Sequence, residues 1–179
     1  MKELEELRQR MRTERPTAWE QLPDLALYMD QLISYMPRQL IRFEGGDALT
    51  SAMVNNYIKD NLLPRAEGKR YGREHLAWLT AICALKSVIS MREMATLFAG
   101  LGETELSVPE RYDFFLQQLD RSLDKVAKPI DPNVEQEGLA SLALGLALDS
   151  YASKLACQRV LELMAQAQED QESENKKKK

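Results

Sequence analysis

The sequence predicts an all-α protein carrying one short basic turn, and three observations predict it. Apolar residues recur three and four positions apart along most of the chain, the spacing of helices that bury one face. Polar starting signals stand where such patterns begin: Thr50 or Ser51 before "AMVNNYIK", and Ser90 with Glu93 three residues on before "ATLF". Stopping signals stand where they end, at Asn61 before "LLP", at Gly100 and Gly102, and at the "PIDP" break.

Each element follows in order. Leu4, Leu7 and Met11 make a narrow stripe in the charged segment 1–16, a helix or tail that Pro16 ends. A helix is expected from "LPDL" through "ALYMDQLISYMPRQL", ended or kinked at Pro37. The paired glycines of "FEGGD" break it. A short helix over 50–60 carries Met53, Val54, Tyr57 and Ile58 on its apolar side, and Asn61 closes it. "PRAEGKRY", residues 64–71, reads as a hairpin-like wing tipped by Gly68. Two helices follow, "REHLAWLTAICALKSV" and the capped "MREMATLFAGLG". After Pro109 come "ERYDFFLQQLDRSLDKVAK" and a continuous helical pattern from about residue 133 to 168. The organisation is thus a central domain over 22–102, a helical region over 109–168, and a charged tail over 169–179 that buries too little to order itself.

At 179 residues the chain fits one domain, or a small domain with an extension, and can bury a core without disulfides or a structural metal. Cys83 and Cys157 lie far apart in apolar helical context and read as core thiols in a reducing compartment. "MKELEELRQRMRTERP" lacks the form of a signal peptide, and no run approaches the roughly 20 apolar residues of a spanning helix. A soluble, cytoplasmic protein is expected. Net charge is −4, yet between Arg38 and Arg92 nine Lys and Arg face five acids. An acidic body bearing one anion-facing patch would have that distribution.

That patch surrounds two adjacent asparagines. With Val54, Tyr57 and Ile58 turned inward, an advance of about 100° per residue places Ser51, Asn55, Asn56 and Lys59 on the opposite arc. Asparagine is a mediocre helix former, so two on an exposed face forgo stability. Its amide does match the major-groove edge of adenine. A helix of this kind followed by a basic loop has the form of a winged helix-turn-helix, the helix in the major groove and the wing on flanking phosphates. The candidate DNA-binding residues are Ser51, Asn55, Asn56, Tyr57, Lys59, Arg65, Lys69, Arg70, Tyr71 and Arg73. Tyr57 is read as a core ring whose hydroxyl reaches a phosphate, and the lone His75 as packing or a helix-to-wing hydrogen bond.

The order of Thr50 or Ser51, an aliphatic residue, tyrosine, "LLP", a basic turn ending in tyrosine and "SMREMATLF" resembles the DNA-binding domain of MerR-type regulators over Thr50 to Leu97. Aligned back from Pro64, Tyr57 takes the second tyrosine of that motif, Asn56 the first, Asn55 the DNA-contacting arginine and Asn61 the glycine. Arg70 and Tyr71 fall on the wing's arginine and the aromatic after it. The short first helix of that family is missing from the wording, and "LYMDQLISYM" would stand in for it. More specifically, "YMDQ" ahead of "LTSAMVNNYIKDNLLP" and "KRYGREHLAWLTAICALKSVISMREM" resembles an uncharacterised bacterial family, domain of unknown function 1836, over most of Leu22 to Gly100. The MerR resemblance implies a transcriptional regulator whose C-terminal helix pairs two protomers, hence a homodimer on double-stranded DNA; whether a small-molecule effector sits among the C-terminal helices is left open, since no polar groups converge there to name one.

"GLASLALGLALDSYASKLAC" is apolar on nearly all sides and rich in small residues, so it is expected to be the buried centre, packed within the monomer or across a two-fold axis. Asp149 and Lys154 argue against a membrane span. No glycine-rich phosphate loop, nucleophile elbow, metal-ligand cluster or paired cysteines appear, so neither an enzyme nor a cofactor is expected. The reading from a different class is a non-enzymatic helical module that binds protein.

Overall fold

The computed structural model describes residues 1–42 and 48–177, with side chains through residue 170. The expected turn "FEGGD" lies at 43–47, outside the described residues. Among the described residues seven α-helices run in order: α1 (Lys2–Thr13), α2 (Met29–Tyr35), α3 (Ser51–Lys59), α4 (Arg73–Leu85), α5 (Met91–Gly102), α6 (Val108–Ala127) and α7 (Leu139–Lys177). Single 3-10 turns lie at Trp19–Gln21, Met36–Arg38 and Gln136–Gly138. Among the described residues there is no strand, only two isolated antiparallel bridges, Leu27 with Tyr71 and Glu67 with Arg70. The fold is all-α.

The core gathers around α4. Leu76, Leu79 and Ile82 are fully buried, with Val54 and Tyr57 from α3, Leu32 from α2, Met36 from the 3-10 turn after it, and Met94 and Phe98 from α5 packed with them. Thr80, buried in the same helix, returns its hydroxyl to the Leu76 carbonyl at 2.7 Å, so its polar atom needs no outside partner. Gln39 is fully buried: its Oε1 accepts from the Thr17 amide and its Nε2 reaches the Thr17 hydroxyl. Those bonds tie the chain before α2 to the chain after it.

Four expectations are corrected. The helix expected from "LPDL" begins only at Met29. Leu25, inside the expected helix, is 78 % exposed, and the backbone of Leu27 is paired with Tyr71 by two 2.9 Å hydrogen bonds. Gly100 lies inside α5, which runs to Gly102, and a Cβ at Gly100 would stand 2.5 Å from Met164 of α7, so the missing side chain is a close-packing site. The N-terminal segment, expected as a helix or a tail, is a docked helix: α1 packs on α6, Arg15 pairs with Asp120 and with Asp124 at 3.2 Å, and Arg10 donates to the Arg42 carbonyl at 2.9 Å. Finally, α7 starts at Leu139 and continues to Lys177, through most of the segment expected to be a tail. It is far from a buried centre: only its later half, around Leu161, packs on α5, while Leu144, Leu148, Tyr151 and Leu155 are each more than half exposed.

Candidate nucleic-acid interface

Local chemistry builds α3 at both ends. The Thr50 hydroxyl accepts from the Met53 amide at 3.2 Å and caps the first turn. Asn61 takes φ +57°, the left-handed conformation that closes a helix, and the amides of Leu62 and Leu63 both return to the Tyr57 carbonyl. Between the caps, Val54 and Tyr57 are buried, whereas Ser51, Asn55, Asn56 and Lys59 are exposed. The inward and outward arcs are those the 100° advance requires.

The turn after α3 is built as tightly. Glu67 and Arg70 exchange backbone hydrogen bonds at 3.0 and 3.1 Å around Gly68 (φ +55°) and Lys69 (φ +63°). Two consecutive left-handed residues make the two-residue turn whose twist matches a hairpin, although only one bridge of ladder follows. Lys69, beyond the tip glycine, is a side chain held in a conformation that favours glycine.

His75, buried at the start of α4, braces this turn. Its Nδ1 accepts from the Gly72 amide at 3.1 Å, and its Nε2 lies 3.3 Å from the Arg65 carbonyl, so both ring nitrogens are engaged. Edge-on contact with Tyr71, with ring centroids 5.3 Å apart, completes the brace.

Three of the ten candidate residues are not on the open surface. Tyr57 and Tyr71 are each 5 % exposed, and burial pushes both hydroxyls above the usual tyrosine range, so both are core rings. Arg73 is half-buried and spends its Nε on the Leu22 carbonyl at 3.1 Å, fastening α4 to the segment ahead of α2. Ser51, Asn55, Asn56, Lys59, Arg65, Lys69 and Arg70 remain exposed. Among the described residues Lys59, Arg65 and Lys69 have no ion-pair partner; the ion pairs lie in α1, in α7 and between Arg15 and α6.

Arg70 brings in a residue that local pattern missed. Its Nη2 donates to the Tyr28 hydroxyl at 2.9 Å, and its guanidinium sits 4.9 Å from the centre of the Tyr28 ring, which is itself 46 % exposed. Tyr28 immediately precedes α2, and the Gln31 side chain accepts from its amide at 2.9 Å. That glutamine three residues on was the available sign that the helix starts at Met29. The surface so formed can offer amide donors and acceptors beside cations free of internal partners, a chemistry suited to a polyanion with hydrogen-bonding edges.

Among the described residues no group of three His, Cys, Asp or Glu side chains could hold a metal ion, and no helix is long and apolar enough to cross a membrane. Cys83 and Cys157 are free and partly buried, and burial raises the Cys83 thiol above its ordinary range, keeping it protonated. The family model described as Domain of unknown function (DUF1836) matches residues 17–115, more than half of the chain. The chain belongs to this family. The DUF1836 match takes in the segments from Thr17 through α5 and the first turns of α6, so it covers α3, the basic turn and their brace, and leaves α1 and α7 outside. No curated protein and no solved structure matches the chain.

Proposed function

We propose that this DUF1836 protein is a DNA-binding transcriptional regulator of winged helix-turn-helix type, similar to MerR-type regulators, acting as a pair of chains. In this reading α2 and α3 form the helix-turn-helix, α3 enters the major groove, and residues 64–70 meet flanking phosphates. One observation carries it: Asn55 and Asn56 are exposed side by side on a helix capped at both ends, followed by Lys59, Arg65 and Lys69, which have no ion-pair partner among the described residues. The Leu27–Tyr71 bridge adds support, because it joins the start of α2 to the end of the basic turn as one rigid unit.

The deciding experiment is binding of the full chain to a mixed-sequence duplex across a salt series. Each phosphate contact released contributes about −0.9 to the slope of log affinity on log salt. A slope of several units is expected, reduced by about one in Lys59→Gln and again in Lys69→Gln. A flat profile overturns the reading. Selection of bound duplexes from a random pool then reads the sequence, where Asn55→Ala or Asn56→Ala should relax preference at one base pair by about 1–3 kcal/mol.

A second reading is favoured by a different observation. The exposed apolar half of α7 and the net charge of −4 suit a helical module that binds protein and no longer meets DNA. A flat salt profile together with an intact fold would favour it.

A further inference from the structure

Between α4, α5 and α6 lies a partly open cavity of about 510 Å³, with Val88 and Phe114 of its lining exposed to solvent. Its volume falls within the range of small-molecule sites, and its walls are almost entirely apolar. Trp78, Phe98 and Phe115 contribute aromatic rings to its lining, and Leu85 and Leu119 aliphatic side chains. Trp78 and Phe98 meet edge to face with centroids 4.7 Å apart, so they form one aromatic surface.

Most of the polar groups around it are already used. The Tyr112 hydroxyl donates to the Thr17 carbonyl at 2.9 Å, the Trp78 N–H points to Glu74 at 3.4 Å, and the Ser122 hydroxyl donates to the Gln118 carbonyl at 2.8 Å. Arg111 is different. Its Nε is buried and has no hydrogen-bond partner, and among the described residues it makes no ion pair. The guanidinium lies at the end of α5, with Nη1 3.7 Å from where a Cβ on Gly102 would stand.

A guanidinium cannot shed its charge, and a buried donor without an acceptor is costly. The acceptor that fits is one that engages Nε side-on while its remainder fills an apolar space. A lone water would find too few polar partners along such walls. A carboxylate matches the guanidinium fork in shape and charge.

We propose that this cavity binds a small amphipathic acid, its aliphatic or aromatic body between Trp78, Phe98 and Phe115 and its carboxylate on Arg111. The site shares no residue with the proposed duplex surface, so its test and the salt series succeed or fail separately.

The experiment titrates the full chain with decanoate and with decanol, two probes of one length that differ in charge, below micelle formation, following heat and Trp78 fluorescence. Saturable one-to-one binding of decanoate is expected, at least about tenfold tighter than decanol. Arg111→Leu should remove that difference and leave decanol unchanged. Ala84→Phe, which fills the cavity without touching Arg111, should abolish both, and Leu148→Ser on α7 should change neither. The proposal is overturned if the wild-type chain binds the two probes alike or binds neither. It is also overturned if Leu148→Ser abolishes binding, which puts the probe on α7. Wild-type decanoate binding by Ala84→Phe, with an altered oligomeric state, would assign the cavity to a second copy of the chain and equally sink the proposal.

Discussion

Two side chains in the interface hold left-handed backbone, and they separate stability from binding. Asn61 holds φ +57°, a region that asparagine visits more readily than residues lacking its short polar side chain, since a Cβ there crowds the following carbonyl. Asn61→Ala should therefore lose about 1 kcal/mol in urea denaturation, whereas Asn61→Gly should be neutral or slightly stabilising. Lys69 at φ +63° lacks the short amide that eases asparagine into this region. Lys69→Gly should raise stability by up to about 1 kcal/mol while lowering the salt slope of duplex binding by about one. A loss of both would mean that the turn, and not the charge, is what Lys69 supplies. Asn61 was legible because "LLP" follows it, a stop signal at fixed spacing. Lys69 was not, because Gly68 drew the turn's tip one residue early and only backbone geometry reveals that both residues need the left-handed region.

At the scale of elements, the packing of α5 on α7 depends on Gly100. Alanine there removes the helix cost of glycine, about 1 kcal/mol, and its Cβ meets only the end of the flexible Met164 chain. Gly100→Ala should be near neutral. Gly100→Leu cannot be accommodated so simply and should cost about 1–3 kcal/mol, with faster proteolysis between Cys157 and Gln168 as α7 loosens. The same contrast explains what the sequence disclosed. Caps are local, so Thr50 over α3 and Ser90 with Glu93 over α5 were readable, and in the structure the Glu93 carboxylate accepts from the Ser90 amide at 2.7 Å. Ser107 with Glu110 does the same for α6, and Pro109, which sits in that first turn, drew the helix start too late. The start of α2 was hidden because Leu22, Leu25 and Leu32 keep helical spacing, whereas Leu27 is claimed by Tyr71, 44 positions on. A partner so distant leaves no mark on local periodicity.

For the whole molecule, buried tyrosines and an unburied helix decide two properties. Tyr112 is pushed up to about 12, chiefly by burial, and Tyr57 and Tyr71 are raised by burial as well. The unfolded chain gives up these protons near 10, the folded chain later. Their contribution is complete below pH 10 and is lost as pH rises toward 12, so the denaturation midpoint should fall across that window. Tyr112→Phe should be about 1 kcal/mol less stable at pH 8, having lost the bond to the Thr17 carbonyl, yet fall less steeply above pH 10. The expected burial of α7 failed for a related reason of scale: an apolar composition says that a helix is covered, not by what. Leu144, Leu148, Tyr151 and Leu155 lie within about 60° of one another and some 110° from the Leu161 side that packs on α5. Their exposures of 57–65 % leave about 500 Å² per chain, or about 1,000 Å² across two, the least a specific interface needs. An antiparallel pair centred between Asp149 and Ser150 sets Leu144 beside Leu155 and Leu148 beside Tyr151 of a second copy. A parallel pair would instead stack Glu162 on Glu162 and bring Lys154 against Arg159. The full chain should therefore sediment as a dimer at micromolar concentration. Leu148→Glu should sediment as a single chain with unchanged helix content, and a duplex of two half-sites should then bind it no better than a duplex of one. Unaltered sedimentation of Leu148→Glu would remove α7 as the pairing element.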